Sequence, residues 1–137
     1  MPDEGTSTTR RDAAATVSRE LVSLHKQFYG KGPVRAKTYL VNDTVLCILE
    51  GGFTVVERTL IEVGRAPAVH DIRTSFQAAM RDQFTKVVEA ALGRRVRAYM
   101  SQVHTDPDIA VELFLLEPTA ADGDHEFTYD LEDPGAA

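Results

Sequence analysis

From Ala14 onward, apolar residues recur at spacings of three and four: Ala14, Val17, Leu21, Leu24 and Phe28 fall on one stripe of a helix. Gly30 ends it. The breaker Gly30-Lys31-Gly32-Pro33 gives way to strict alternation from Val34 to Val41, with Val34, Ala36, Thr38 and Leu40 facing one way and Arg35, Lys37 and Tyr39 the other. Val41-Asn42-Asp43-Thr44 has the chemistry of a tight hairpin turn, because Asn and Asp tolerate positive φ, and Thr44 to Glu50 returns as the antiparallel partner. Gly51-Gly52 stops that strand. Thr54-Val55-Val56-Glu57 then reads as a capping box opening a short helix, with Val56, Leu60 and Val63 on its apolar face, that runs to Gly64. Pro67 suits a first helical turn, and Val69, Ile72, Phe76, Met80, Phe84, Val87 and Ala91 continue a helical stripe to Gly93. Arg94 to Val103 and Ile109 to Leu116 make a second hairpin.

The order α-β-β-α-α-β-β predicts an α+β fold: a four-stranded antiparallel sheet built from two β-hairpins, with three helices on one face. Val34-Arg35-Ala36 and Val96-Arg97-Ala98 each follow a helix and a glycine, so the halves 12–52 and 65–118 echo each other, either by duplication or by shared architecture alone. The long helix, if unbroken, is expected to exceed the width of the sheet, about 19 Å for four strands, so part of it must overhang or kink, and an overhanging apolar stripe suggests a homodimer. Residues 1–11 read as a flexible N-terminus, 12–118 as one α+β domain and 119–137 as an acidic disordered tail.

Composition refines this picture. At 137 residues the chain has room for one ordinary domain. Its longest apolar runs stop far short of the roughly 20 residues that cross a bilayer, which excludes direct membrane insertion. The polar N-terminus lacks the apolar stretch of a secretory signal, so the expected location is cytoplasmic. The lone cysteine, Cys47, lies in the apolar run Val45-Leu46-Cys47-Ile48-Leu49 and is expected to be a buried structural thiol. The net charge of −6 resides wholly in residues 119–137, which hold six carboxylates and no Lys or Arg. The remainder is neutral, and no concentrated positive field marks a nucleic-acid partner.

Candidate chemistry is sparse. The four histidines share no metal-ligand spacing and read as surface or cap residues, so no metal and no cofactor are expected. Gly30-Lys31-Gly32 lacks the spacing of a phosphate loop and leads into a strand. There is no nucleophile elbow, and the chain is expected not to be an enzyme. Glu50 and Glu57 flank the Gly51-Gly52 turn, where a carboxylate pair can share a proton or a cation; the plainer reading is a strand-end charge and a capping glutamate. Arg35, Lys37 and Tyr39 on the first strand and Arg95, Arg97 and Tyr99 on the third are expected to project away from the core. If those strands are neighbours, they form one surface for a small anion, and the chain would be a stand-alone sensor. The alternative is that these cations protect sheet edges.

The runs Phe28-Tyr29-Gly30-Lys31-Gly32-Pro33, Leu49-Glu50-Gly51-Gly52-Phe53-Thr54-Val55-Val56-Glu57-Arg58-Thr59-Leu60 and Gly93-Arg94-Arg95-Val96 together resemble the MpsC-like family over residues 17–117. The matching positions are Gly30, Gly32, Pro33, Glu50, Gly51, Thr54, Glu57, Arg58 and Gly93; of these, Glu50 and Arg58 are the two that a turn or cap does not require. The family takes its name from a component of a bacterial sodium-translocating, membrane-potential-generating system. The resemblance implies a small cytosolic accessory protein without established enzymatic activity, whose partner is an integral membrane transporter for sodium, or for bicarbonate with sodium.

Overall fold

The computed structural model describes residues 2–119, with side chains from Thr9 onward. The acidic tail thus lies, beyond Thr119, outside the described residues. The elements are α1 (Pro2–Tyr29), β1 (Arg35–Val41), β2 (Thr44–Glu50), α2 (Val55–Glu62), α3 (Ala66–Leu92), β3 (Val96–His104) and β4 (Ile109–Leu116). This is the predicted α+β order, and all strand pairings are antiparallel. Helix α1 begins at Pro2, well ahead of the apolar stripe at Ala14, so the polar stretch read as a flexible lead-in continues the same helix.

The strand order is β1-β2-β4-β3. The two hairpins therefore join through their second strands, and both first strands become edges. Parity within β2 and β4 decides which side is core: Val45, Cys47, Leu49, Phe114 and Leu116 point inward and are at most 2% exposed. They meet Val17 and Leu21 of α1 and Met80, Phe84 and Val88 of α3 in one cluster. Helices α1 and α3 lie against each other, α1 also against β1 and α3 against β3. A second cluster, Phe53, Val69 and Val103 with Leu60 and Ile61, seats α2 at one end.

Three expectations need correction. The apolar stripe of α3 is packed within the protein at six of its seven positions: Val69 joins the second cluster, Met80 and Phe84 the first, and Phe76, Val87 and Ala91 pack against it, while Ile72 is half-buried outside both. The structural motive for a dimer must therefore lie elsewhere. Helix α2 turns Glu57, Leu60 and Ile61 toward the protein, leaving Val56 and Val63 65% and 63% exposed, because the capping-box glutamate has a buried partner that rotates the helix. In β3 the register shifts between Val96 and Ala98, which pair with Leu116 and Leu115. This bulge inserts one residue, Arg97, and reverses the parity of the rest of the strand. Tyr99 consequently points inward, 8% exposed, instead of sharing the outer face with Arg97.

Gly51 occupies the left-handed region at φ +73, and a Cβ there would stand 2.6 Å from Val34 Cγ2. Both the backbone conformation and the space demand glycine. Gly51→Ala is expected to cost upwards of about 1 kcal/mol, read as a lower urea midpoint. Gly64→Ala, at φ +79 with nothing within 4 Å, should cost less.

Candidate functional site

The loop between α1 and β1 and the loop between β2 and α2 pack together at one end of the sheet. Gly52 approaches Pro33, with 3.5 Å between a Cβ built on Gly52 and Pro33 Cγ. The Lys31 ammonium donates to the carbonyls of Gly51 at 2.8 Å and Phe53 at 3.1 Å. The Phe53 amide donates to the Asp108 carboxylate at 2.9 Å, tying the turn of the second hairpin to the same point. Arg58 adds a 3.4 Å bond to the Phe53 carbonyl from its exposed side chain.

Beneath this loop pair is a buried ion pair. Thr54 and Glu57 form the full capping box, and Glu57 accepts two bonds from Arg73, at 2.6 Å from Nε and 2.7 Å from Nη2. Arg73 Nη2 also donates to the Gly52 carbonyl at 3.0 Å. The guanidinium lies 3.9 Å from the centre of the Tyr29 ring, a cation–π contact. Burial alone would raise the Glu57 pKa, but the hydrogen bonds from Arg73 and Thr54 and the Arg73 charge override it and hold the carboxyl below its ordinary value. Arg73 is correspondingly raised: burial opposes its charge and Glu57 more than restores it.

Tyr29 carries the chain of contacts inward. Burial pushes its phenol up to about 12. Its ring packs on Phe76, and 5.8 Å away stacks His25. His25 is 3% exposed, not the surface or cap residue that its sequence context suggested. Its Nδ1 lies 2.7 Å from the Leu21 carbonyl, which can only accept, so that nitrogen carries the proton. Its Nε2 stands 3.4 Å from Glu112 Oε1, and the other Glu112 oxygen accepts a 2.5 Å bond from the Tyr99 hydroxyl. Burial and the neighbouring carboxylate push the Tyr99 phenol far above its usual range. A continuous series, Glu57, Arg73, Tyr29, His25, Glu112 and Tyr99, buried except at the half-buried Tyr29, thus runs from the glycine loops into the core under the sheet.

The residues singled out from the sequence separate into three places. Gly30, Gly32, Pro33, Gly51, Thr54, Glu57 and Arg58 belong to the loop end just described. Gly93 caps α3 in the left-handed conformation at the opposite end of that helix. Arg35 and Lys37 lie on one sheet edge and Arg97 on the other, with β2 and β4 between them, and Arg95 precedes β3 at that far edge. The four cations therefore do not form one anion site. Glu50 and Glu57 are likewise apart in function: Glu50 pairs with Arg35 at 3.4 Å on the outer face, whereas Glu57 is buried with Arg73. Cys47 is buried as expected, and burial pushes its thiol up to about 11. His104 is exposed, and His125 lies outside the described residues.

Arg73, His25 and Glu112 are absent from the sequence-based candidates, though Arg73 and Glu112 each left a signal. Arg73 sits four residues after Val69 and three before Phe76, inside the apolar stripe of α3. Glu112 shares its parity in β4 with Phe114 and Leu116. A charged residue on core parity must have a buried partner.

Among the described residues, no group of three or more His, Cys, Asp or Glu side chains is placed to hold a metal ion, and no helix is long and apolar enough to cross a membrane. The loop end exposes apolar side chains beside Arg58: Val34, Val55 and Val56 are 79%, 67% and 65% exposed. The loop end is thus a hydrogen-bonded platform with exposed valines at its rim. Comparison with known protein families matches residues 9–118 to a family described as "Na+-translocating membrane potential-generating system (MpsC)". No curated protein and no solved structure matches the chain. The matched span covers the whole sheet, all of α2 and α3, and most of α1, loop end included; the chain belongs to the MpsC family.

Proposed function

We propose that the protein is a non-enzymatic cytosolic accessory or regulatory subunit of a sodium- or bicarbonate-linked membrane transport system, docking on an integral membrane partner from the cytoplasmic side. Family membership carries this reading, because the family description names a Na+-translocating, membrane-potential-generating system. The loop end is the contact surface we assign to it. Its backbone is fixed by Lys31, Arg73 and Asp108, so presenting Val55 and Val56 costs little ordering entropy on binding. Burying each valine side chain contributes about 1.5 kcal/mol or more.

The test is a gentle-detergent pull-down of the tagged full chain from its own cells, with a tag-only control and mass-spectrometric identification. A multispanning transporter is expected in near-stoichiometric amount, and the double variant Val55→Asp/Val56→Asp should reduce its recovery tenfold or more. Recovery of the protein alone from the soluble fraction overturns the proposal. A stand-alone anion sensor draws no support from the strand order, which separates Arg35 and Lys37 from Arg97 by two strands.

A further inference from the structure

The sheet has a second face. At its centre Leu46 and Ile48 of β2 stand beside Leu113 and Val111 of β4, their Cα partners in the register, and Leu115 and Ile109 extend the patch along β4. All six point away from the core, belong to neither buried cluster and are only half-buried. An antiparallel sheet with one wet face alternates apolar and polar residues; here both parities of the two central strands are apolar, the pattern of strands buried on both sides. Among the described residues, every helix packs on the other face.

We propose that this face is the interface of a homodimer, in which two copies pack sheet against sheet. Size and charge both favour a second copy as the occupant. Four strands about 4.8 Å apart and seven residues at about 3.4 Å each give a face of roughly 24 by 19 Å, or about 450 Å² in projection. Two copies then cover about 900 Å² before side-chain relief is counted, which brings the contact to the order of 1,000 Å² that a specific interface needs. The centre carries no charge. The charged side chains of β1 and β2 on this face, Arg35, Lys37 and Glu50, are confined to one edge strand and one strand end, where Arg35 and Glu50 already pair. Arg97 on the other edge strand, β3, is likewise exposed, so a twofold operation can bring the neutral centre onto itself with the charged side chains at the rim. The chain's own tail suits the face less well. Residues 119–137 hold six carboxylates, and the two central strands offer no cation there to meet them. This pairing does not depend on the docking role of the loop end, since the two surfaces share none of the six residues.

The test is the mass of the full-length protein by sedimentation and light scattering from about 1 to 50 μM. A dimer is expected, with Leu113→Glu raising the dissociation constant at least tenfold while the far-ultraviolet circular dichroism stays unchanged. Met100→Glu, on edge strand β3 opposite Leu113 and already 50% exposed, should fold normally and weaken the dimer in the same direction, so the assignment stands or falls even if Leu113→Glu does not fold. A wild-type chain that is monomeric throughout that range overturns the proposal, whether its own tail or another protein covers the face. A dimer unaffected by a folded Leu113→Glu or Met100→Glu chain overturns it equally.

Discussion

Glu57→Ala is expected to lower folding stability by about 3–5 kcal/mol, the range for breaking a buried ion pair by removing one partner. Both side chains are at most 4% exposed, so the Arg73 guanidinium left behind keeps the Gly52 carbonyl and the rings of Tyr29 and Phe53 but no counter-charge in direct contact. The same substitution removes the side-chain half of the capping box at Thr54. The double variant Glu57→Gln/Arg73→Met should recover part of the loss, because it replaces an unpaired charge with apolar volume. Urea titration at neutral pH, followed by circular dichroism, measures both. The chain contains no tryptophan to report unfolding by fluorescence.

The same pair sets an acid limb to stability. Because the folded state holds the Glu57 carboxyl below its ordinary value, its contribution is complete above the ordinary carboxylate range, near pH 4.3, and is lost as pH falls toward the folded value. Glu57→Gln should flatten that limb. A midpoint unchanged by Glu57→Ala would show that Arg73 finds another partner at no cost, and the rigid-platform argument would fail with it.

Glu112→Ala is expected to cost a similar amount, about 3–5 kcal/mol. The substitution strands the buried Tyr99 hydroxyl, at about 1–3 kcal/mol, removes the carboxylate that stands 3.4 Å from His25 Nε2, and opens a cavity under α1. Tyr99→Phe removes only one bond to a charged acceptor and should cost about 1.5–3 kcal/mol. Glu112→Gln should fall below Glu112→Ala, since its carbonyl still accepts from Tyr99. Thermal unfolding of the three variants ranks them. Equal loss in Tyr99→Phe and Glu112→Ala would mean that His25 draws nothing from the carboxylate.

The element order, the first turn, the capping box and the burial of Cys47 were legible because each rests on neighbours in sequence: alternation, a threonine three residues before a glutamate, asparagine at positive φ. Asn42 does adopt φ +50. What the sequence could not supply depends on partners far along the chain. Strand order is the clearest case. The echo between Val34-Arg35-Ala36 and Val96-Arg97-Ala98 invites one to place the two basic segments side by side, yet repeated hairpins that join through their second strands send their first strands to opposite edges. Resemblance in sequence becomes separation in space. The outward rotation of Val56 and Val63 was hidden for the same reason, since the burial of Glu57 depends on Arg73, sixteen residues away. The resemblance to the MpsC family was readable from the glycine loops and the Thr-x-x-Glu-Arg segment, and the family match over residues 9–118 agrees with it.

The bulge in β3 gives position 97 an unusual status. Every inward residue that follows, Tyr99 with its bond to Glu112 and Val103 in the second cluster, owes its side of the sheet to one added backbone unit. The arginine there is exposed, and no buried partner constrains its chemistry. It works as a spacer: almost any side chain can stand at 97, but the chain cannot be one residue shorter without turning a phenol out into water and leaving a buried carboxylate behind.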